Sequence, residues 1–167
     1  EALGLELHGE KIGFDRPISE PAMNRPGLAL AGFFSYFAYK RVQVIGNSEL
    51  SFLDSLEPKL RAARFSQLCS WEIPCLIVAR GHRLAEDLVQ IANEAGISIF
   101  QTSMLTMKFL NNATIKLDAA FAEIDEVVSL TNSLITESER LHQNLIEDLL
   151  KSKKEKRRSI CLRDICS

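Results

Sequence analysis

The chain contains no glycine after Gly96, and from Ser103 to about Arg158 it contains neither glycine nor proline. A stretch that long without a backbone breaker can run as one helix. It also cannot hold a phosphate-binding loop of the form G-x-x-x-x-G-K-[ST], which needs its glycines to bring backbone N–H groups onto a phosphate. No match to that loop occurs earlier.

Within the stretch, Leu117, Phe121, Ile124, Val128, Ile135, Leu145 and Leu149 fall at three- and four-residue spacing. Glu123, Asp125, Glu126, Glu137, Glu139 and Arg140 occupy other faces. The pattern is amphipathic, and Asn132, Ser133, Thr136 and Ser138 weaken it in the middle. A helix from 103 to 158 would be ~80 Å long at 1.5 Å per residue. Its far end must pair with another chain, fold back near Asn132–Ser133, or fray. The expectation is a weakly anchored helix with Lys151 to Ser167 mobile, and a homo-oligomer is the competing outcome. The basic run from Lys151 to Arg158 suits a helix C-terminus, where cations favour the dipole; a nucleic-acid or acidic-lipid role is the alternative.

The rest of the composition sets few constraints. The 167 residues are 46% hydrophobic and 25% charged, with a formal net charge of −2. Such a chain buries a core without disulfides. It has no global attraction to nucleic acid or membrane. No apolar run approaches the ~20 residues of a membrane span. The start at Glu1 reads as truncated, not as a signal peptide. Cys69, Cys75, Cys161 and Cys166 have no C-x-x-C spacing, and His8, His82 and His142 are scattered, so no metal site is expected. Cys69 and Cys75 read as buried thiols of a cytoplasmic protein, and Cys161 and Cys166 sit near the end expected to be mobile.

Residues 3–101 alternate extended and helical segments. Leu3, Leu5 and Leu7 alternate with Gly4, Glu6 and His8, as in a half-buried strand. Pro26 stands where a first helical position would be, ahead of a short helix or a tight apolar turn. Arg41–Gly46 reads as a strand, followed by a helix capped by Asn47 or Ser48 with Leu50, Leu53 and Leu56 on one face. Pro58 ends that helix or restarts another, and Leu60, Ala63 and Leu68 continue the apolar face. Cys75–Ala79 is a continuous apolar run, typical of a strand buried on both faces. Residues 82–95 form a helix with Leu84, Leu88, Ile91, Ala92 and Ala95 on one face, stopped by Gly96. Ile97–Gln101 is the next strand. The order implies an α/β fold: three layers, a mostly parallel sheet flanked by helices, and a long C-terminal helical extension. The boundaries expected are 1–122 for the α/β domain, 123–158 for the helix and 159–167 for a disordered tail.

Three segments together resemble the N-terminal domain of bacterial HPr(Ser) kinase/phosphorylase. They are Arg25-Pro26-Gly27-Leu28-Ala29-Leu30-Ala31-Gly32-Phe33-Phe34, Arg41-Val42-Gln43-Val44-Ile45-Gly46-Asn47-Ser48-Glu49, and Ile73-Pro74-Cys75-Leu76-Ile77-Val78-Ala79-Arg80-Gly81. Ala95-Gly96-Ile97, then Ser103, Thr106 and Phe109, fit the end of that domain. The resemblance implies an α/β module placed before a P-loop domain that phosphorylates a serine of HPr, the phosphocarrier of the sugar phosphotransferase system, and removes that phosphate. It implies HPr and a catalytic domain as partners, hexameric assembly, and ATP and magnesium as cofactors of the full enzyme. After about Ala122 the pattern departs from the family. No catalytic residue and no cofactor transfer to this chain, and the family's first helix would precede Glu1.

Candidate ligand-binding residues lie in the turns after the strands: Arg25, Gly27, Gly46, Asn47, Arg80 and Gly81. Gly27 allows close backbone approach, and Arg25 suits a carboxylate or phosphate. Gly46-Asn47 and Arg80-Gly81 follow strands and precede helices, where anions gather. Each also has a plainer explanation. Arg25 suits a salt bridge, Asn47 and Ser48 suit capping, and Ser103 and Thr106 suit the start of the long helix. His82 reads as a solvated neighbour of a cap. The aromatic cluster Phe33, Phe34, Tyr36, Phe37 and Tyr39 suits core packing or a small pocket.

Overall fold

A computed structural model describes residues 3–165, with side chains described through Lys154. Cys161 and Cys166 therefore lie outside the described side chains. Contacts divide the chain into two units, Glu1–Phe121 and Ala122–Ser167.

The first unit is an α/β fold. Its five strands are β1 (Glu6–Leu7), β2 (Met23–Asn24), β3 (Val42–Ile45), β4 (Cys75–Val78) and β5 (Ser98–Gln101). They form one mixed sheet in the order β1-β5-β4-β3-β2. β2 to β5 are mutually parallel, and β1 joins the β5 edge antiparallel, with Leu7 opposite Phe100. The helices between parallel strands are α1 (Gly27–Leu30), α2 (Asn47–Ser55), α3 (Pro58–Cys69) and α4 (Glu86–Glu94). Each parallel strand lies beside the next in chain order. Right-handed crossovers that never reverse direction put every linking helix on the same face.

The core has that division. On one face Leu30, Leu53, Phe65, Leu68, Leu88 and Ala92 of the helices pack on Ile45, Leu76, Val78 and Ile99 of the sheet. On the other face Val42, Val44, Ile77 and Ala79 are covered by Phe109 and Ala113, from the first turns of α5 (Thr106–Ile165). β4 is the middle strand and is apolar throughout because both of its faces are covered. Gln43 is fully buried in β3. Its side chain donates to the carbonyls of Ala38 and Arg41 and accepts from Asn24, so its polar atoms are satisfied.

Some elements differ from the sequence reading. Leu5 and Leu7 are 40% and 41% exposed, because β1 is a two-residue edge strand and not a half-buried one. On α3 the buried face is Phe65, Leu68 and Cys69, while Leu60 and Ala63 are exposed. α4 starts at Glu86, four residues later than the apolar spacing suggests, although Leu84 is buried before it. Gly96 ends α4 with φ +68°, the left-handed conformation of a helix stop. Cys69 is buried and Cys75 half-buried. Burial pushes both thiols up to about 12, so both stay protonated and unreactive near neutral pH.

The second unit is helical, the continuation of α5. The helix passes through 131–133 without a break. Thr131, Ser133 and Thr136 donate their hydroxyls to the carbonyls of Val127, Ser129 and Asn132 one turn earlier. That bonding lets polar residues stay in the helix where the sequence suggested a fold-back point. The backbone stays helical to Ile165, past the Arg158 limit expected from composition.

Ile77 is 2% exposed at the centre of the sheet. Ile77→Ala is expected to cost ~2–5 kcal/mol, the usual range for truncating a buried isoleucine. An unchanged urea midpoint would rule out the central placement of β4.

Candidate functional site

The turns at the carboxyl ends of β2, β3 and β4 bring several of the sequence candidates together. Glu49, in the first turn of α2, is 4% exposed and points back at the end of β3. Its Oε2 accepts from the Gly46 N–H at 3.0 Å and from Arg25 Nη2 at 2.7 Å. Gly46 is the N-cap residue and has no side chain to cap with, so Glu49 alone supplies the return bond of a capping box. Asn47 and Ser48 are therefore not the caps. Gly27 sits against the same carboxylate: a Cβ there would lie 3.5 Å from Glu49 Oε1. Arg25, Gly27 and Gly46 thus meet around Glu49.

The arrangement matters for anion binding. A helix N-terminus and an arginine attract an anion. Here Glu49 already fills that role. The salt bridge reading of Arg25 holds, with the arginine side chain 38% exposed and the carboxylate 5%.

Thr106 closes the same corner. It is the first residue of α5 and is 6% exposed. A Cβ on Gly46 would lie 2.8 Å from its Oγ1 and 3.3 Å from its Cγ2. Gly46 is required by this contact and not by its backbone, since its φ of −118° is open to any residue. The sequence suggested Thr106 as a helix cap; it packs against the β3 terminus instead.

Arg80 and Gly81 lie in the next turn. Both have left-handed φ, +64° and +69°. Their N–H groups donate to the carbonyls of Met104 and Thr102, and the His82 N–H donates to Ala79. The first two amides fasten the turn to the segment after β5. The Arg80 side chain is exposed and has no ion-pair partner among the described residues. Asn47 is linked to this turn: His82 Nε2 lies 2.8 Å from Asn47 Oδ1. A cleft of about 300 Å³ runs beneath the pair, lined in part by Ser51, Asp54, Arg83 and Leu88. The His82–Asn47 contact joins two turns 35 residues apart in sequence, and no local signal shows it.

The aromatic cluster is only partly core. Phe34 stacks on Trp71 at 5.5 Å, and Phe37 meets both rings edge-on. Tyr39 also contacts Trp71. Phe33 and Tyr36 are 51% and 93% exposed. Trp71, which the sequence reading did not include, is the hub of the cluster. Among the described residues no three His, Cys, Asp or Glu side chains converge where they could hold a metal ion.

Gly46→Ala is expected to destabilise the protein by ~1–3 kcal/mol through overpacking against Thr106. Thr106→Ala in the same chain should recover part of that loss, because it removes both contacting atoms. Equal urea midpoints for wild type and Gly46→Ala would show that the corner is looser than described.

Residues 1–117 match the family described as HPr Serine kinase N terminus. An HPr kinase/phosphorylase of Clostridium perfringens is 42% identical over 106 residues, which are 64% of this chain and 34% of that protein. One of Chloroherpeton thalassium is 45% identical over 106 residues, 64% of this chain and 31% of that protein. One of Listeria monocytogenes is 36% identical over 124 residues, 74% of this chain and 40% of that protein. The chain thus spans about a third to two fifths of the length of these relatives. The CBS and DRTGG domains of a Clostridium perfringens pyrophosphatase overlap 69% of this chain, and 43% of their own, at 12% identity and a TM-score of 0.48. With the family's segment matched over 1–117, the chain belongs to the HPr serine kinase N-terminus family.

Proposed function

We infer that this chain is a regulatory or assembly domain of the HPr(Ser) kinase/phosphorylase type without a catalytic site of its own, linked to control of carbon metabolism through the sugar phosphotransferase system. The observation that carries the reading is the family match over residues 1–117. HPr and a kinase catalytic domain are its partners in this reading, and the cytoplasm is its compartment. No helix among the described residues is long and apolar enough to cross a membrane.

ATP and magnesium belong, in this reading, to the catalytic domain. The residues present here do not fit them. Phosphoryl transfer needs a cradle of free backbone amides, a lysine and a held metal ion. In this chain the amides of Gly46, Arg80 and Gly81 are bonded internally, and Arg25 is paired with Glu49.

Incubation of the purified chain with HPr and ATP is expected to give no phosphoserine. The same chain should bind a separately produced catalytic domain of the Clostridium perfringens relative in sedimentation. ATP-dependent phosphorylation above a chain-free control would overturn the non-catalytic reading. Absence of binding would overturn the assembly reading.

The cleft below Asn47 and His82 favours a second reading, a stand-alone module for a nucleotide or sugar phosphate. The exposed side chains of Arg80, His82 and Arg83 surround the turn there. With the turn amides already bonded, an anion would be met by these side chains. Titration with phosphate or ATP should then move the amide signals of 47 and 80–83. Shifts confined to other segments, or none at millimolar ligand, would remove this reading.

A further inference from the structure

The cleft beneath Asn47 and His82 has two unlike walls. One is α2, which presents Asn47, Ser51 and Asp54 at i, i+4 and i+7, a single face of the helix. The other is the turn at His82 and Arg83 that leads into α4. Among the described residues lining the cleft, Asp54 is the one acid, and Arg83 and His82 are the basic groups. Asp54 and Arg83 have no hydrogen-bond or ion-pair partner among the described residues, so they do not pair with each other. Of the charges nearby, Asp87 is paired with Arg61 at 2.8 Å. Glu57, Lys59, Arg80 and Glu86 lie outside the lining.

The backbone sharpens the contrast between the walls. Asp54 stands in the last turn of α2, which contains no basic residue. The carboxyl end of a helix carries partial negative charge, so Asp54 adds to it and a cation is drawn to both. Arg83, on the other wall, draws an anion, phosphate above all. The floor sets a third condition. Leu53, Leu84 and Leu88 are 1%, 5% and 2% exposed. They close the cleft from below without offering an open apolar face on which a nucleobase could stack. Hydroxyl groups are better met. Ser51 both donates and accepts, and Asn47, whose Oδ1 accepts from His82, keeps its amide N–H groups for a ligand. A volume of about 300 Å³ is at the small end for ligand sites and suits a single sugar ring.

We propose that this cleft binds a sugar phosphate that carries an amine. Arg83 holds the phosphate, Asp54 holds the ammonium group, and Ser51 and Asn47 meet the ring hydroxyls. This rests on the second reading of the cleft given above. It narrows that reading to one ligand class, because the acidic wall is used as well as the basic one.

The test is titration of the full chain with glucosamine 6-phosphate, glucose 6-phosphate and AMP at neutral pH, followed through the amide signals of 47–54 and 82–85. Glucosamine 6-phosphate should bind roughly fivefold more tightly than glucose 6-phosphate, as one well-placed exposed ion pair allows. Asp54→Asn should bring the two affinities together. Arg83→Gln should weaken both sugars alike. Both side chains are exposed, so neither variant should move the urea midpoint. Equal affinity for the two sugars, or a preference that survives Asp54→Asn, would overturn the proposal and leave the sugar phosphate reading standing. Tighter binding of AMP than of either sugar would also overturn it. No shift with any of the three at millimolar concentration would remove the proposal and the second reading together.

Discussion

Glu49 is the residue on which the arrangement at the strand ends depends. It is a carboxylate almost wholly removed from water. Such a group must be paired, because an uncompensated buried charge costs several kcal/mol. It is satisfied from two directions, by the amide of the residue that begins its own helix and by an arginine from the preceding turn. One side chain thus fixes the start of α2, the end of β3 and the loop before α1. Gly46 then has to lack a side chain so that Thr106 can close over it. Three segments meet around one carboxylate, and a fourth, at Thr106, closes over Gly46.

The same contact shapes what the corner can do. In many open α/β sheets a helix N-terminus and a nearby basic side chain wait for an anion from solution. Here the chain places its own anion there. The sheet order adds to this. Ligand crevices of open sheets form where the strand order reverses, because adjacent loops then part to opposite faces. β2 to β5 follow one another without reversal, so all four linking helices lie on one face. The turns after the strands are tied to one another by internal bonds.

The elements with strong local patterns are those that the sequence shows well. Cys75–Ala79 is apolar without interruption, and β4 lies in the middle of the sheet with both faces covered. Gly96 ends α4 because only glycine adopts its conformation without strain. The stretch after Ser103 is helix because its apolar residues recur at three- and four-residue spacing and no glycine or proline interrupts them. The family resemblance rested on strand-and-turn segments of this kind, and the match over 1–117 bears it out.

The tertiary structure decided whatever depended on a distant neighbour. Leu5 and Leu7 alternate like a half-buried strand, yet only the sheet order shows that they pair at an edge and stay exposed. Phe65 and not Ala63 faces the core of α3, because the crossover sets the helix's rotation and the local spacing allowed both. Trp71 is unremarkable in sequence and becomes the centre of an aromatic cluster through three rings from another loop. Asn47 and Ser48 look like caps because capping is a local habit of those residues. The helix already begins at Asn47, so Gly46 holds the cap position and Glu49 returns a bond to its amide. By itself the sequence determined which segments were strand and helix, since those depend on spacing and backbone freedom. Which charges neutralise one another, and hence which turns are closed, was settled only when folding brought Arg25, Gly46, Glu49 and Thr106 within a few ångströms.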